Sequence, residues 1–147
     1  YAEMHGDRTD LDYGASSPGD LELLLRLRSS GVPVVSIFLS GRPLWTTPEI
    51  ELSDAFVAAW LPGTEGDGVA EVLFRDEDGG IPHDFKGRLS FSWPADRDQV
   101  NLNLGQEGEP PLYPFGFGLR YRKQNAARTR TSSLTAKRMG TAPGGHP

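Results

Sequence analysis

The chain is 147 residues long, carries a net charge of −5 and contains no cysteine. That length suits a single domain, and the lack of cysteine excludes disulfides and thiolate metal sites while leaving the redox compartment open. No apolar run approaches the roughly 20 residues that a membrane-spanning helix needs, so no membrane insertion is expected.

Charge is unevenly placed. Residues 122–147 hold six Lys/Arg and no acid, so residues 1–121 carry the other 9 basic groups and all 20 acidic ones. An acidic body is a poor footprint for phosphates, so no nucleic-acid partner is expected. The last 26 residues are almost free of large apolar side chains and end Pro-Gly-Gly-His-Pro, a composition that predicts a disordered basic tail over 122–147. The opening residues Tyr1-Ala-Glu-Met-His-Gly-Asp7 have neither an initiator methionine nor a basic leader, and read as a chain entered in mid-sequence.

Residues 1–16, rich in Asp, Gly and Tyr without apolar periodicity, predict a loop. Ser17-Pro18-Gly-Asp20 then predicts a helix start, with Ser17 as cap and the acids Asp20 and Glu22 at the positive end of the dipole. Leu21, Leu24 and Leu25 form its apolar face, widened by Leu23 and Leu27, and Gly31 ends it. Residues 34–39 are a short β-branched run, the pattern of a strand covered on both faces. Thr47-Pro48-Glu49 opens a short helical turn to about Leu52. Residues 56–61 predict a second buried strand, and 69–74 a returning helix. This alternation implies parallel strands joined by crossovers. Residues 88–93 alternate strictly, as a half-exposed strand does.

Three blocks stand out: Pro33-Val-Val-Ser-Ile-Phe-Leu-Ser-Gly-Arg-Pro-Leu-Trp45 running on to Trp60-Leu-Pro-Gly-Thr-Glu-Gly66; Gly87-Arg-Leu-Ser-Phe-Ser-Trp-Pro94; and Pro111-Leu-Tyr-Pro-Phe-Gly-Phe-Gly-Leu-Arg-Tyr121. In this order they resemble the C-terminal α/β domain of glycoside hydrolase family 3, the β-glucosidase and exo-β-glucanase family. The resemblance covers about residues 1–121. It implies an α/β fold, a partial sandwich with a mainly parallel sheet flanked by helices. The resemblance further implies the C-terminal domain of a two-domain hydrolase, truncated at its N-terminal side, with residues 115–118 as a strand flexed at its glycines. It also implies a partner, an N-terminal (β/α)-barrel domain of the same protein, and a β-linked glucan or gluco-oligosaccharide substrate. A periplasmic or secreted location is implied as well.

The family's exo-glucanase members carry a loop similar to Tyr-x-Glu-x-x-Gly-Asp, which matches Tyr1-Ala-Glu3-Met-His-Gly6-Asp7. The resemblance therefore places the general acid/base on Glu3, with the nucleophilic Asp in the barrel. A retaining glycosidase needs two such carboxyl groups about 5–5.5 Å apart, and the acid must hold its proton near neutral pH. By residue type alone, Glu3 is one acid among 20. The alternative is a non-catalytic α/β module of the same ancestry, serving carbohydrate binding or interdomain packing.

Other candidates read as structural. His5 is a lone loop histidine, Asp7 suits an Asx-type turn, and His83 and His146 stand apart. Three scattered histidines give no metal-ligand spacing, so neither metal nor cofactor is expected. Trp45, Trp60 and Trp93 lie in or beside apolar strands and predict core or interdomain packing. Gly63-Thr-Glu-Gly66-Asp-Gly68 lacks the Gly-Lys-Ser/Thr of a phosphate loop, and predicts a tight strand-to-helix turn.

Overall fold

A computed structural model of the chain describes residues 10–105 and 107–121. The elements run α1 (Tyr13–Ser16), α2 (Pro18–Ser29), β1 (Val35–Leu39), α3 (Thr47–Leu52), β2 (Ala55–Trp60) and α4 (Gly66–Leu73). β1 and β2 pair in parallel, from Val35 opposite Ala55 to Phe38 opposite Ala58, and Leu39 then meets Trp60 across an irregularity. Parallel neighbours require a crossover, and α3 with its flanking loops supplies it. The result is the expected α/β architecture, a parallel sheet with helices. The tail expected over 122–147 lies outside the described residues.

The helices form where the caps and periodicity place them, with three corrections. Ser17 stands at the cap position of α2, but its side chain makes no capping hydrogen bond. The buried stripe is Leu24 with half-buried Leu21 and Leu27, whereas Leu23 and Leu25 are exposed. Spacing of three keeps 21, 24 and 27 on one side, and residue 25 turns away from it. The loop expected over 1–16 also contains a turn of helix, because Asp12 Oδ1 accepts the Ala15 amide at 3.1 Å and caps α1.

Coverage of β1 differs from expectation as well. Phe38 is buried, and half-buried Ser36 meets Ser53 through their hydroxyls at 2.6 Å. Val35, Ile37 and Leu39 are exposed. Alternate side chains of a strand face opposite ways, and among the described residues only the Phe38 face is covered.

The alternating segment 88–93 forms no ladder. Its backbone instead meets 112–117 at separate points: Leu89 N–H donates to the Phe117 carbonyl (2.8 Å), Trp93 N–H to Tyr113 (2.7 Å), Gly116 N–H to Leu89 (2.8 Å), and Leu112 N–H to Trp93 (2.9 Å). Pro114 has no N–H to offer, and Gly116 takes φ +81°, a conformation that turns the chain. The strand implied over 115–118 is therefore a turn.

These segments close the core. Phe38, Leu44 and Trp93 are its buried centre. Trp93 packs edge-on against Phe38 (5.9 Å) and Phe56 (6.1 Å), with Trp60 tilted at 6.2 Å. Its indole N–H donates to Thr46 Oγ1 at 3.2 Å, which ties the core to the start of α3.

Candidate functional site

In an open parallel sheet the crevice at the carboxyl ends of the strands is where ligands bind. Here that edge is built from the loop after β1 (residues 40–46) and the turn after β2 (residues 61–65). Trp60 ends β2 with φ +56°, unusual for a bulky side chain, and its carbonyl accepts the Ser40 amide at 3.2 Å. Gly63 follows at φ +59°, and α4 starts at Gly66. The glycine-rich stretch is thus the strand-to-helix turn its sequence suggests.

Residues 10–13 are fastened to this edge. Trp45 N–H donates to the Leu11 carbonyl (2.7 Å), and Tyr13 N–H donates to the Trp45 carbonyl (3.3 Å). Arg42 Nη2 reaches the Asp10 carbonyl at 3.4 Å. Tyr13 packs edge-on against Phe38 at 5.1 Å, and its hydroxyl donates to the Asp20 carboxylate. Burial, then that hydrogen bond, pushes the Tyr13 hydroxyl pKa up.

Beside this junction lies a carboxyl group that the sequence reading took only as a helix-start signal. Glu49, in the first turn of α3, is 4% exposed, and its Oε2 has no hydrogen-bond partner among the described residues. Burial raises its pKa above the ordinary carboxylate value, the Asp12 and Asp20 charges add to the rise, and a backbone hydrogen bond opposes it. Asp12, on the same side of Gly14 as Glu49, binds Arg97 Nη1 through Oδ2 at 3.0 Å. The Arg97 guanidinium carbon lies 4.5 Å from the centre of the Trp45 ring.

A second feature is an apolar groove of about 510 Å³ bounded by Phe56, Trp60, Leu89, Trp93 and Phe117. Its one carboxylate, Asp54, accepts the Val34 amide at 2.8 Å. Among the described residues no second carboxyl group lines the groove.

Glu3, His5, Asp7 and His146 lie outside the described residues. His83 pairs with Glu71 at 3.2 Å, both well exposed, a surface contact. Among the described residues no cluster of three His, Cys, Asp or Glu is arranged to hold a metal, and no helix is long and apolar enough to cross a membrane. Trp93 is core, as expected. Trp45 is half-buried and sends its indole N–H to the Ala95 carbonyl at 3.1 Å.

The family model for the glycosyl hydrolase family 3 C-terminal domain matches residues 2–121. The chain belongs to that family. It is 32% identical over 141 residues to the periplasmic β-glucosidase of Salmonella typhimurium, covering 81% of this chain and 18% of that protein. It is 35% identical over 132 residues to a β-xylosidase of Formosa agariphila, covering 79% and 17%. The crystal structure of exo-1,3/1,4-β-glucanase from a Pseudoalteromonas species superposes with a TM-score of 0.78 at 50% identity, covering 83% of this chain and 15% of that one. The chain thus spans less than a fifth of each of these relatives.

The sequence reading of this glycosyl hydrolase family 3 domain missed Asp12, Arg97 and Glu49. Asp12 carried a local signal, as an acid three residues before the Ala15 amide it caps. The Arg97 contacts and the burial of Glu49 carried none, because both depend on contacts distant in sequence.

Proposed function

We propose that this domain works as the acid/base half of a retaining β-glucosidase or exo-β-glucanase, with Glu3 as the carboxyl group and a barrel domain of the same protein supplying the nucleophilic Asp. One observation favours this reading over a silent packing module. The segment that continues from the Glu3 motif is pinned by Trp45 at the carboxyl end of β1, the edge where α/β sheets place their sites. The mention of a periplasm in one relative's name supports a periplasmic or secreted location for the whole protein.

The chemistry runs in two steps. The barrel carboxylate attacks the anomeric carbon as the bond to the leaving oxygen breaks, and the Glu3 proton passes to that oxygen. Water then attacks the same carbon, Glu3 takes its proton, and the bond to the barrel carboxylate breaks. Glucose is the sugar we propose, on the strength of the β-glucosidase and exo-glucanase relatives; a β-xylosidase among them makes xylose the competitor to test.

The test is Glu3→Gln in the barrel-bearing protein. With a 2,4-dinitrophenyl β-glucoside, whose leaving group needs no proton, the first step survives and the glycosyl-enzyme accumulates. Azide, a nucleophile needing no base, then restores turnover and yields a β-glucosyl azide. Turnover of Glu3→Gln that is undiminished and indifferent to azide refutes the assignment.

A further inference from the structure

We infer that Glu49 is a proton-dependent latch at the α1–α2–α3 junction: with its carboxyl group neutral α1 stays docked on the sheet, and loss of that proton releases it. Three elements meet around this buried side chain. Glu49 stands in the first turn of α3. α1 lies against it at Gly14, where an added methyl group would stand 3.4 Å from Asp12 Oδ1 and 3.7 Å from Glu49 Oε1. Asp20 of α2 completes the group, its carboxylate accepting the Tyr13 hydroxyl of α1.

The surroundings favour a neutral carboxyl group. Thr46-Thr47-Pro48-Glu49 has the spacing of a capping box, in which the first hydroxyl and the last carboxylate bond each other's backbone amides. Here Thr46 makes no capping bond, and its Oγ1 accepts the Trp93 indole N–H at 3.2 Å. Glu49 Oε2 and Thr47 Oγ1 are buried without a hydrogen-bond partner among the described residues. A buried carboxylate with an idle oxygen is far less favourable than the neutral acid.

The charged groups that face Glu49 do not compensate a charge on it. Burial is the leading cause that raises its pKa, a hydrogen bond from its own backbone opposes the rise, and the Asp12 and Asp20 charges add to it. Tyr13 is neutral, its own hydroxyl pKa pushed up. Of the cations around the junction, Arg97 bonds Asp12 Oδ2 at 3.0 Å and Arg28 of α2 bonds the Glu51 carbonyl at 2.8 Å. Glu51 itself is exposed. An ionised Glu49 therefore joins two other carboxylates in a space with little water, and the relief is for one wall to open. α1 is the wall that yields. It has four residues against the twelve of α2, too few to be stable alone, whereas α3 is tied to the core through Thr46. Its release gives up the edge-on contact of Tyr13 with Phe38 at 5.1 Å.

Amide hydrogen exchange, followed by NMR in the 147-residue chain, tests the latch. It is fully closed below the ordinary carboxylate pKa and is lost as pH rises to the raised value of docked Glu49. Across that window the protection of the Tyr13 and Ala15 amides, relative to the intrinsic rate at each pH, is expected to fall by up to about tenfold per pH unit. The amides of β1 that pair with β2 keep theirs. The Glu49 carboxyl carbon resonance, read in the same samples, reports the titration directly, and the fall should end where that titration ends. Glu49→Gln, neutral at every pH, should show no such fall. Asp20→Asn removes one opposing charge and should shrink the fall without abolishing it. If Glu49→Gln fails to fold, the unmodified chain and Asp20→Asn decide by the same coincidence of titration and protection. Protection that does not change with pH, a fall that persists in Glu49→Gln, or a Glu49 carboxyl group that titrates in the ordinary carboxylate range overturns the inference.

Discussion

Replacing Trp93 by Phe and Thr46 by Val, singly and together, measures how strongly the core is tied to the loop that carries Trp45. Trp93 is 2% exposed, Thr46 is fully buried, and the indole N–H meets Thr46 Oγ1 at 3.2 Å. A net hydrogen bond contributes only about 1 kcal/mol, but a buried group left without its partner costs about 1–3 kcal/mol. Trp93→Phe leaves the Thr46 oxygen without its indole donor and thins ring contacts with Phe38, Phe56 and Trp60. A loss of about 2–3 kcal/mol is expected for it, below the roughly 3–5 kcal/mol of full truncation to alanine. Thr46→Val strands the indole N–H and should cost about 1–2 kcal/mol. In the double variant neither polar group remains, so its loss should fall short of the sum by about 1–2 kcal/mol. Urea unfolding of the 147-residue chain, followed by far-UV circular dichroism, gives all four stabilities. Losses that add to within about 0.5 kcal/mol would show the two groups to be uncoupled and refute the argument.

Three further outcomes are expected. Burial raises the Glu49 pKa in the fold, so the native state holds this proton more tightly than the unfolded chain. That contribution is complete below the unfolded pKa and is lost as pH rises through the folded one. Glu49→Gln should therefore flatten the fall of the urea midpoint as pH rises above the ordinary carboxylate range, and parallel curves for the two proteins would count against it. Gly63→Ala places a side chain at φ +59° with no atom near enough to clash, so it should cost about 1–2 kcal/mol through backbone strain alone; a Gly66→Ala control, with neither strain nor clash, should lose less in the same melt. The 147-residue chain by itself should not hydrolyse an aryl β-glucoside, and turnover abolished by Glu3→Gln would refute the division of the site between two domains.

The regular elements were legible because each depends on neighbours in sequence. The leucine spacing within residues 21–27, the Thr47-Pro48-Glu49 start and the two short apolar runs at 34–39 and 56–61 carry their own instructions. Residues 88–93 misled for a physical reason. Alternation reports which side chains face inward, not whether a partner strand exists, and the partner here contains Pro114 and a glycine at φ +81°. β1 misled in the opposite sense, since an apolar run states what a strand tolerates on both faces, and not what covers it. The burial of Glu49 was invisible because a carboxylate in a first helical turn already has a sufficient reason in the helix dipole.

The junction at residues 10–13 shows what such contacts add to a short element. α1 has four residues, far too few to be stable as an isolated helix. Its order has to be imposed from outside. Among the described contacts that impose it are the Asp12 cap, the backbone hydrogen bonds to Trp45 and the ion pair to Arg97. A catalytic carboxyl group tolerates about 0.5 Å of misplacement before it loses effect. The long-range contacts supply what local sequence cannot, and they connect the carboxyl end of the sheet to the chain that leads back toward Glu3.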